Sequence, residues 1–90
     1  TPVHYAAYKG ALKSLRELAR RGADLQQKFQ GGRGSTPLMI AAQYQQVEVI
    51  NFLLQEAKVD KTMRDDYAED ACGYARYYQK TQSLRALACD

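Results

Sequence analysis

The chain has no tryptophan, one histidine, two cysteines and two prolines in 90 residues. Each scarcity excludes something. The longest apolar runs are about five residues, so no segment is long enough to span a bilayer as a helix and no membrane insertion is expected. No signal or transit peptide pattern is present. Cys72 and Cys89 are too few for a disulfide framework and lack the spacing of a metal site. Read as free thiols, they suit a reducing, intracellular setting, cytoplasmic or nuclear. There is no Gly-x-Ser-x-Gly, no His-Glu-x-x-His and no carboxylate pair placed by a motif. An enzyme would rest on His4 and the two cysteines alone, so the chain is read as no enzyme, with no metal, no cofactor and no small-molecule substrate. One domain is all this length allows. A hydrophobic fraction of 46% suffices for a core, although a domain this small buries only about 60–65% of its unfolded surface. The first residue is Thr1 rather than Met, which fits a piece of a longer chain.

Charge is uneven along the sequence. Residues 1–45 carry seven basic and two acidic side chains, and residues 46–90 carry six basic and eight acidic ones. A basic end attracts acidic partners or nucleic acid. The competing reading is a solvated helix face, because Arg16, Arg20 and Arg21 interleave with Leu15 and Leu18 as on the wet side of an amphipathic helix. No recognition helix or RNA-binding motif accompanies the charge, so nucleic acid is not the expected partner.

The chain repeats itself. Thr1-Pro2-Val3-His4-Tyr5-Ala6-Ala7 aligns with Thr36-Pro37-Leu38-Met39-Ile40-Ala41-Ala42, and a worn third copy is Asp70-Ala71-Cys72-Gly73-Tyr74-Ala75-Arg76. Thr1, Thr36 and Asp70 are N-cap residues, and Pro2 and Pro37 occupy the first helical position, where the missing N–H costs nothing. Val3, Ala6 and Ala7 make one narrow face, as do Leu38, Ala41 and Ala42, and Cys72, Ala75 and Arg76. A second helix follows each first one. Its stripe is Leu12, Leu15, Leu18 and Ala19, then Val47, Ile50, Leu53 and Leu54, then Leu84, Leu87 and Ala88. Gly22 closes the first pair. Residues 24–35 and 58–69 are polar loops, the first containing Gly31, Gly32 and Gly34. One such unit cannot bury its own faces, but stacked units can.

These residues resemble the ankyrin repeat, whose pattern is Thr-Pro-Leu-His-x-Ala, a Leu-rich helix and then Gly-Ala-Asp, here Gly22-Ala23-Asp24. The resemblance covers the whole chain. It implies an all-α solenoid of three helix-turn-helix units (residues 1–35, 36–69 and a capping repeat 70–90) in a single domain. Whether the two long loops pair as β-hairpins or stay irregular is left open by their length and by the glycines of the first. The family period is 33 residues, so the loops here are lengthened. Gln45 and Gln79 replace the usual glycine between helices, and Met39 and Gly73 replace the motif histidine. The third copy lacks Thr-Pro and carries Arg76 on the small face, as a wet outer cap would. The resemblance further implies that His4 hydrogen-bonds backbone and joins adjacent loops. Cys72 stands for a buried leucine and is expected as a small core residue, with Cys89 free near the end of the last helix.

The family binds proteins without catalysis, through loop tips and the exposed side of the first helices. Here that side is Tyr5, Tyr8 and Lys9, then Ile40, Gln43 and Tyr44, then Tyr74, Tyr77 and Tyr78. Tyrosine offers large rigid area and one hydroxyl with few rotors to freeze. Tyr5 and Tyr74 are read as half-buried against neighbouring helices. Tyr8, Lys9, Gln43, Tyr44, Tyr77 and Tyr78 are the candidate partner-binding positions, joined by Phe29 and Arg33 from the first loop and Asp66 and Tyr67 from the second. Phe29 either contacts a ligand or tucks onto its own loop. A tyrosine cage for a methylated lysine is disfavoured, since such cages usually include the absent tryptophan. Gly31-Gly32-Arg33-Gly34 lacks the ending and preceding strand of a phosphate loop and is read as a lengthened hairpin. The expected function is a monomeric protein–protein interaction module. The alternative is an architectural fragment of a longer ankyrin array, or a spacer in a multidomain protein.

Overall fold

The computed structural model describes residues 1–89 and contains six short helices in three antiparallel pairs. They are α1 (Pro2–Lys9) with α2 (Leu12–Arg20), α3 (Pro37–Gln43) with α4 (Val47–Asn51), and α5 (Ala71–Tyr77) with α6 (Thr81–Ala86). α4 runs on into one wider π turn, Phe52–Glu56, where the Ala57 N–H reaches the Phe52 carbonyl at 3.0 Å. Thr1, Thr36 and Asp70 each accept a backbone N–H three residues on, from His4, Met39 and Gly73. This satisfies one orphan donor at each helix start.

All three helix-to-helix turns are built alike. Ala11, Gln46 and Lys80 each donate a backbone bond to the carbonyl five residues earlier, at 2.9, 2.9 and 2.8 Å. The residue before each donor must then be left-handed: Gly10 at φ 70°, Gln45 at 55° and Gln79 at 56°. Only glycine takes this conformation without a Cβ penalty. Gln45 has a second role, since its Oε1 accepts the Gln82 N–H at 3.1 Å. Gln79 is exposed and carries the strain without that return. Gln79→Gly is therefore expected to stabilise the fold by about 0.5–1 kcal/mol. The check is the urea midpoint, and an unmoved midpoint would mean the turn is unstrained.

α3 packs between α1 and α5, and α4 lies against α6 in a second row. Ala7, Ala41, Ala42 and Ala75 are fully buried, which lets the first helices approach closely. Leu15, Val49, Ile50, Leu53 and Leu87 fill the space between the rows. On the outer row Arg16 pairs with Glu56 at 2.9 Å and lies over the Phe52 ring. No β-strand occurs among the described residues. The first long loop folds back through a Phe29 N–H to Ser35 carbonyl bond of 2.8 Å, and the second is pinned to it by Asp66 N–H to Arg33 carbonyl, also 2.8 Å.

The cysteines correct the sequence reading. Cys72 and Cys89 are joined in a disulfide, with Cα atoms 5.9 Å apart. Cys89 is thus not free, and Cys72 is a half-buried cross-link rather than a simple core residue. The cause is topological. Cys72 sits in the first turn of α5 and Cys89 just past α6, so the antiparallel hairpin brings them together. The cysteine argument for a reducing setting no longer applies.

Candidate functional site

Two features occupy the side formed by the first helices and the loops: a buried polar chain and an exposed aromatic strip. The polar chain begins at His4. Its Nε2 lies 2.9 Å from the Ser35 carbonyl, which can only accept, so Nε2 carries the proton. The Thr1 hydroxyl then donates to Nδ1 at 2.5 Å. Burial, the largest influence, lowers the His4 pKa, and the bond to Ser35 opposes it. The neutral ring is a strut between α1 and the end of the first loop. Ser35 carries the chain on, because its hydroxyl lies 2.7 Å from the Tyr74 oxygen, whose own proton goes to Asp65 Oδ2 at 2.6 Å.

Asp65 is the hub. Its side chain is wholly buried. Oδ1 accepts the Tyr67 and Glu69 N–H groups at 2.9 and 3.0 Å, and Oδ2 accepts Arg33 Nε at 3.0 Å as well as the Tyr74 hydroxyl. The Arg33 guanidinium lies 4.4 Å over the Tyr67 ring. Lys28 meets Asp66 at 2.9 Å, a second ion pair across the two loops. Gly34 is needed here, since a Cβ would sit 2.7 Å from the Asp66 carboxylate.

The aromatic strip lies beside this frame. Tyr8 and Tyr44 meet edge to face at 4.6 Å between ring centres, and Tyr77 and Tyr78 do so at 4.9 Å. Lys9 lies over Tyr8. Tyr77, at 80% exposed, is the most open aromatic residue. A groove of about 280 Å³ runs along Arg33, Glu69, Gly73, Tyr74, Tyr77 and Tyr78.

The structure therefore brings the candidate residues into three groups: Tyr8, Lys9 and Tyr44 (with Gln43, half-buried, on the same helix); Tyr77 and Tyr78; and Arg33, Asp66 and Tyr67 on the paired loops. Phe29 keeps 43% exposure while touching the edge of His4, so it is neither tucked away nor free. Tyr74 is more buried than expected, at 6%, and Tyr5 is 64% exposed where half-burial was expected. The reason is that α5 has α3 beside it, whereas no element covers the far side of α1 among the described residues. Arg33 and Asp66 are engaged in holding the loops together. Sequence reasoning missed Asp65, whose only visible signal is a polar loop with two adjacent aspartates. No cluster of three or more His, Cys, Asp or Glu able to hold a metal occurs among the described residues.

Known proteins match this pattern. The family of ankyrin repeats (three copies) matches residues 1–89. Alpha-latrocrustotoxin-Lt1a of Latrodectus tredecimguttatus is 37% identical over 65 residues, covering 72% of this chain and 4% of the toxin. The mitochondrial liver isoform of glutaminase from Mus musculus is 36% identical over 61 residues, covering 68% of this chain and 10% of that protein. The chain thus spans a small part of the length of both relatives. Two in-phase Thr-Pro helix starts, three alanine-faced helix pairs and a match over residues 1–89 make the chain a member of the ankyrin-repeat family.

Proposed function

We propose that the module binds a protein partner, an extended peptide or a folded surface, on the strip of Tyr8, Tyr44, Tyr77 and Tyr78, flanked by Lys9, Gln43, Phe29, Tyr67 and the Arg33–Asp66 loop pair. Protein interaction without catalysis is the generic role of the family this chain belongs to. One observation carries the finer reading. Tyr8, Tyr44, Tyr67, Tyr77 and Tyr78 are each 43% exposed or more. Only the buried Tyr74 hydroxyl is hydrogen-bonded to protein among the described residues. Large rings with unspent hydroxyls, held on or at the ends of packed helices and, for Tyr67, on the paired loops, are suited to anchoring a partner at low entropic cost. The paired loops beside them hold charges of both signs, which fix orientation more than they add affinity.

The test compares the native chain with a Tyr44→Ala/Tyr77→Ala variant as baits, with circular dichroism confirming equal helicity. Loss of about 30-fold or more in affinity for a captured partner is expected if both rings are anchors. A partner held equally by both baits would move the site off the strip and leave the tyrosines as surface packing.

A further inference from the structure

The third repeat differs from the other two at one position of its first helix. His4 and Met39 are buried there, and Gly73 stands in their place. Glycine is a poorer helix residue than alanine, so its presence inside α5 needs a reason. The space it leaves is used. The Glu69 side chain folds across it, and a Cβ at Gly73 would collide with Glu69 Oε1. The carboxylate is thereby laid into the groove it shares with Arg33, Tyr74, Tyr77 and Tyr78.

Nothing in the groove neutralises this charge. The ion pairs among the described residues use Glu17, Glu56, Asp65 and Asp66, and none uses Glu69. The hydrogen bonds of Glu69 run through its backbone, to Asp65. Arg33, the one cation lining the groove, is already spent: its Nε donates to Asp65 Oδ2 at 3.0 Å, and its guanidinium lies 4.4 Å over the Tyr67 ring. The groove therefore keeps one uncompensated negative charge beside the rings of Tyr77 and Tyr78. Arg33 also shows what such surroundings hold, since a carboxylate and a tyrosine face bind its guanidinium together.

We propose that this groove takes an arginine side chain of the partner, its guanidinium paired to the Glu69 carboxylate and its plane laid against a tyrosine ring. The site lies within the tyrosine strip proposed above and rests on that reading, to which it adds a chemical class: a partner segment presenting an exposed arginine. Arginine fits better than lysine because the guanidinium is planar, weakly hydrated and able to meet a carboxylate with two donors while stacking on an aromatic face.

The test titrates the full chain with acetyl-Gly-Arg-Gly-amide and follows the backbone amides by NMR. Saturable shifts are expected at Gly73, Tyr77 and Tyr78. The same peptide with citrulline, which keeps the shape and loses the charge, is expected to give none. The lysine peptide is expected to bind at least about threefold more weakly, and so is the arginine peptide to Glu69→Gln. Glu48→Gln, which removes an exposed carboxylate elsewhere, is expected to change nothing. Gly73→Ala is expected to turn the Glu69 side chain away and weaken the arginine peptide likewise, without lowering the melting midpoint, because only the end of a flexible side chain has to move. No shift at those three amides, equal shifts with citrulline, equal affinity for lysine, or unchanged binding to Glu69→Gln or Gly73→Ala would each overturn the proposal. A captured partner lost from the Tyr44→Ala/Tyr77→Ala bait but held fully by Glu69→Gln would overturn the arginine groove alone and leave the strip as a site. A partner held fully by both variants would remove both.

Discussion

Asp65→Asn is expected to destabilise the fold by about 3 kcal/mol, which lowers the melting midpoint of a chain this size by roughly 12–24 °C. The carboxylate accepts four hydrogen bonds, two at each oxygen, in a site closed to solvent. An amide has one oxygen and one NH2. In either orientation the NH2 faces two donors: the Tyr67 and Glu69 N–H groups, or Arg33 Nε and the Tyr74 hydroxyl. A buried polar group that loses its partner costs the full desolvation of that group. Arg33 is half-exposed and can turn to water, which keeps the cost at the lower end of the range for a broken buried pair. Tyr74→Phe removes one donor and leaves the ring, so it should cost only about 1 kcal/mol. The order of the two variants in urea denaturation is the check. Equal effects would mean that the Tyr74 hydroxyl bond alone accounts for what the carboxylate contributes, and that its bonds from Arg33 and the loop backbone add nothing.

The same residue sets an acid limit. Burial alone would raise the Asp65 pKa, but the bonds from Tyr74, the Glu69 and Tyr67 backbones and Arg33 outweigh it and hold the carboxyl at about 2. A folded pKa below the unfolded one means that the unfolded chain binds more protons. Stability from this group is therefore complete above the ordinary carboxylate value of 3.8 and drains away as pH falls toward about 2. The amount at stake is roughly 2 kcal/mol. Urea midpoints between pH 5 and pH 2 should fall less steeply in Asp65→Asn than in the native chain. Parallel slopes would assign the acid sensitivity to other carboxylates.

The architecture was legible because it repeats. Thr-Pro starts, alanine faces and leucine stripes recur in phase, and each aligned copy supports the others, so the helices and their small buried faces follow from spacing alone. Even the strain at Gln45 and Gln79 is visible, as glutamine standing where the repeat asks for glycine. What could not be read depends on proximity that no periodicity encodes. Asp65 looks like any aspartate in a polar loop until the loop brings Tyr74 and Arg33 to it. The π turn at Phe52–Glu56 is one extra residue in a helix whose apolar stripe still reads as regular. Tyr5 and Tyr74 hold the same place in the pattern, yet only Tyr74 has a neighbour over it. The cysteines are seventeen residues apart, a spacing that means nothing until α5 and α6 are known to run antiparallel.

That cross-link supports the other large expected effect. Breaking it, by reduction or by Cys72→Ser/Cys89→Ser, is expected to cost about 3 kcal/mol, because the unfolded chain regains the freedom of a loop of that length. The loss should be concentrated in the last helix pair. α6 has six residues, too few to persist without packing. Its inner side is covered by α4, and its outer side has no element against it among the described residues. The Tyr78–Lys80 turn ties one end of the hairpin and the disulfide ties the other. With the second tie gone, hydrogen exchange should rise first in residues 81–89, while α1 to α4 stay protected. Tyr77 and Tyr78 sit on the loosened hairpin, so a partner anchored on them should bind more weakly to the reduced chain than to the oxidised one. A partner anchored on Tyr8 and Tyr44 should bind both nearly alike. Thermal melts with and without a phosphine reductant, followed by exchange measurements on the same samples, test the chain. A midpoint unchanged on reduction would show that the packing of Leu87 and Ser83 on the second pair is enough to hold α6, and that the disulfide adds no stability.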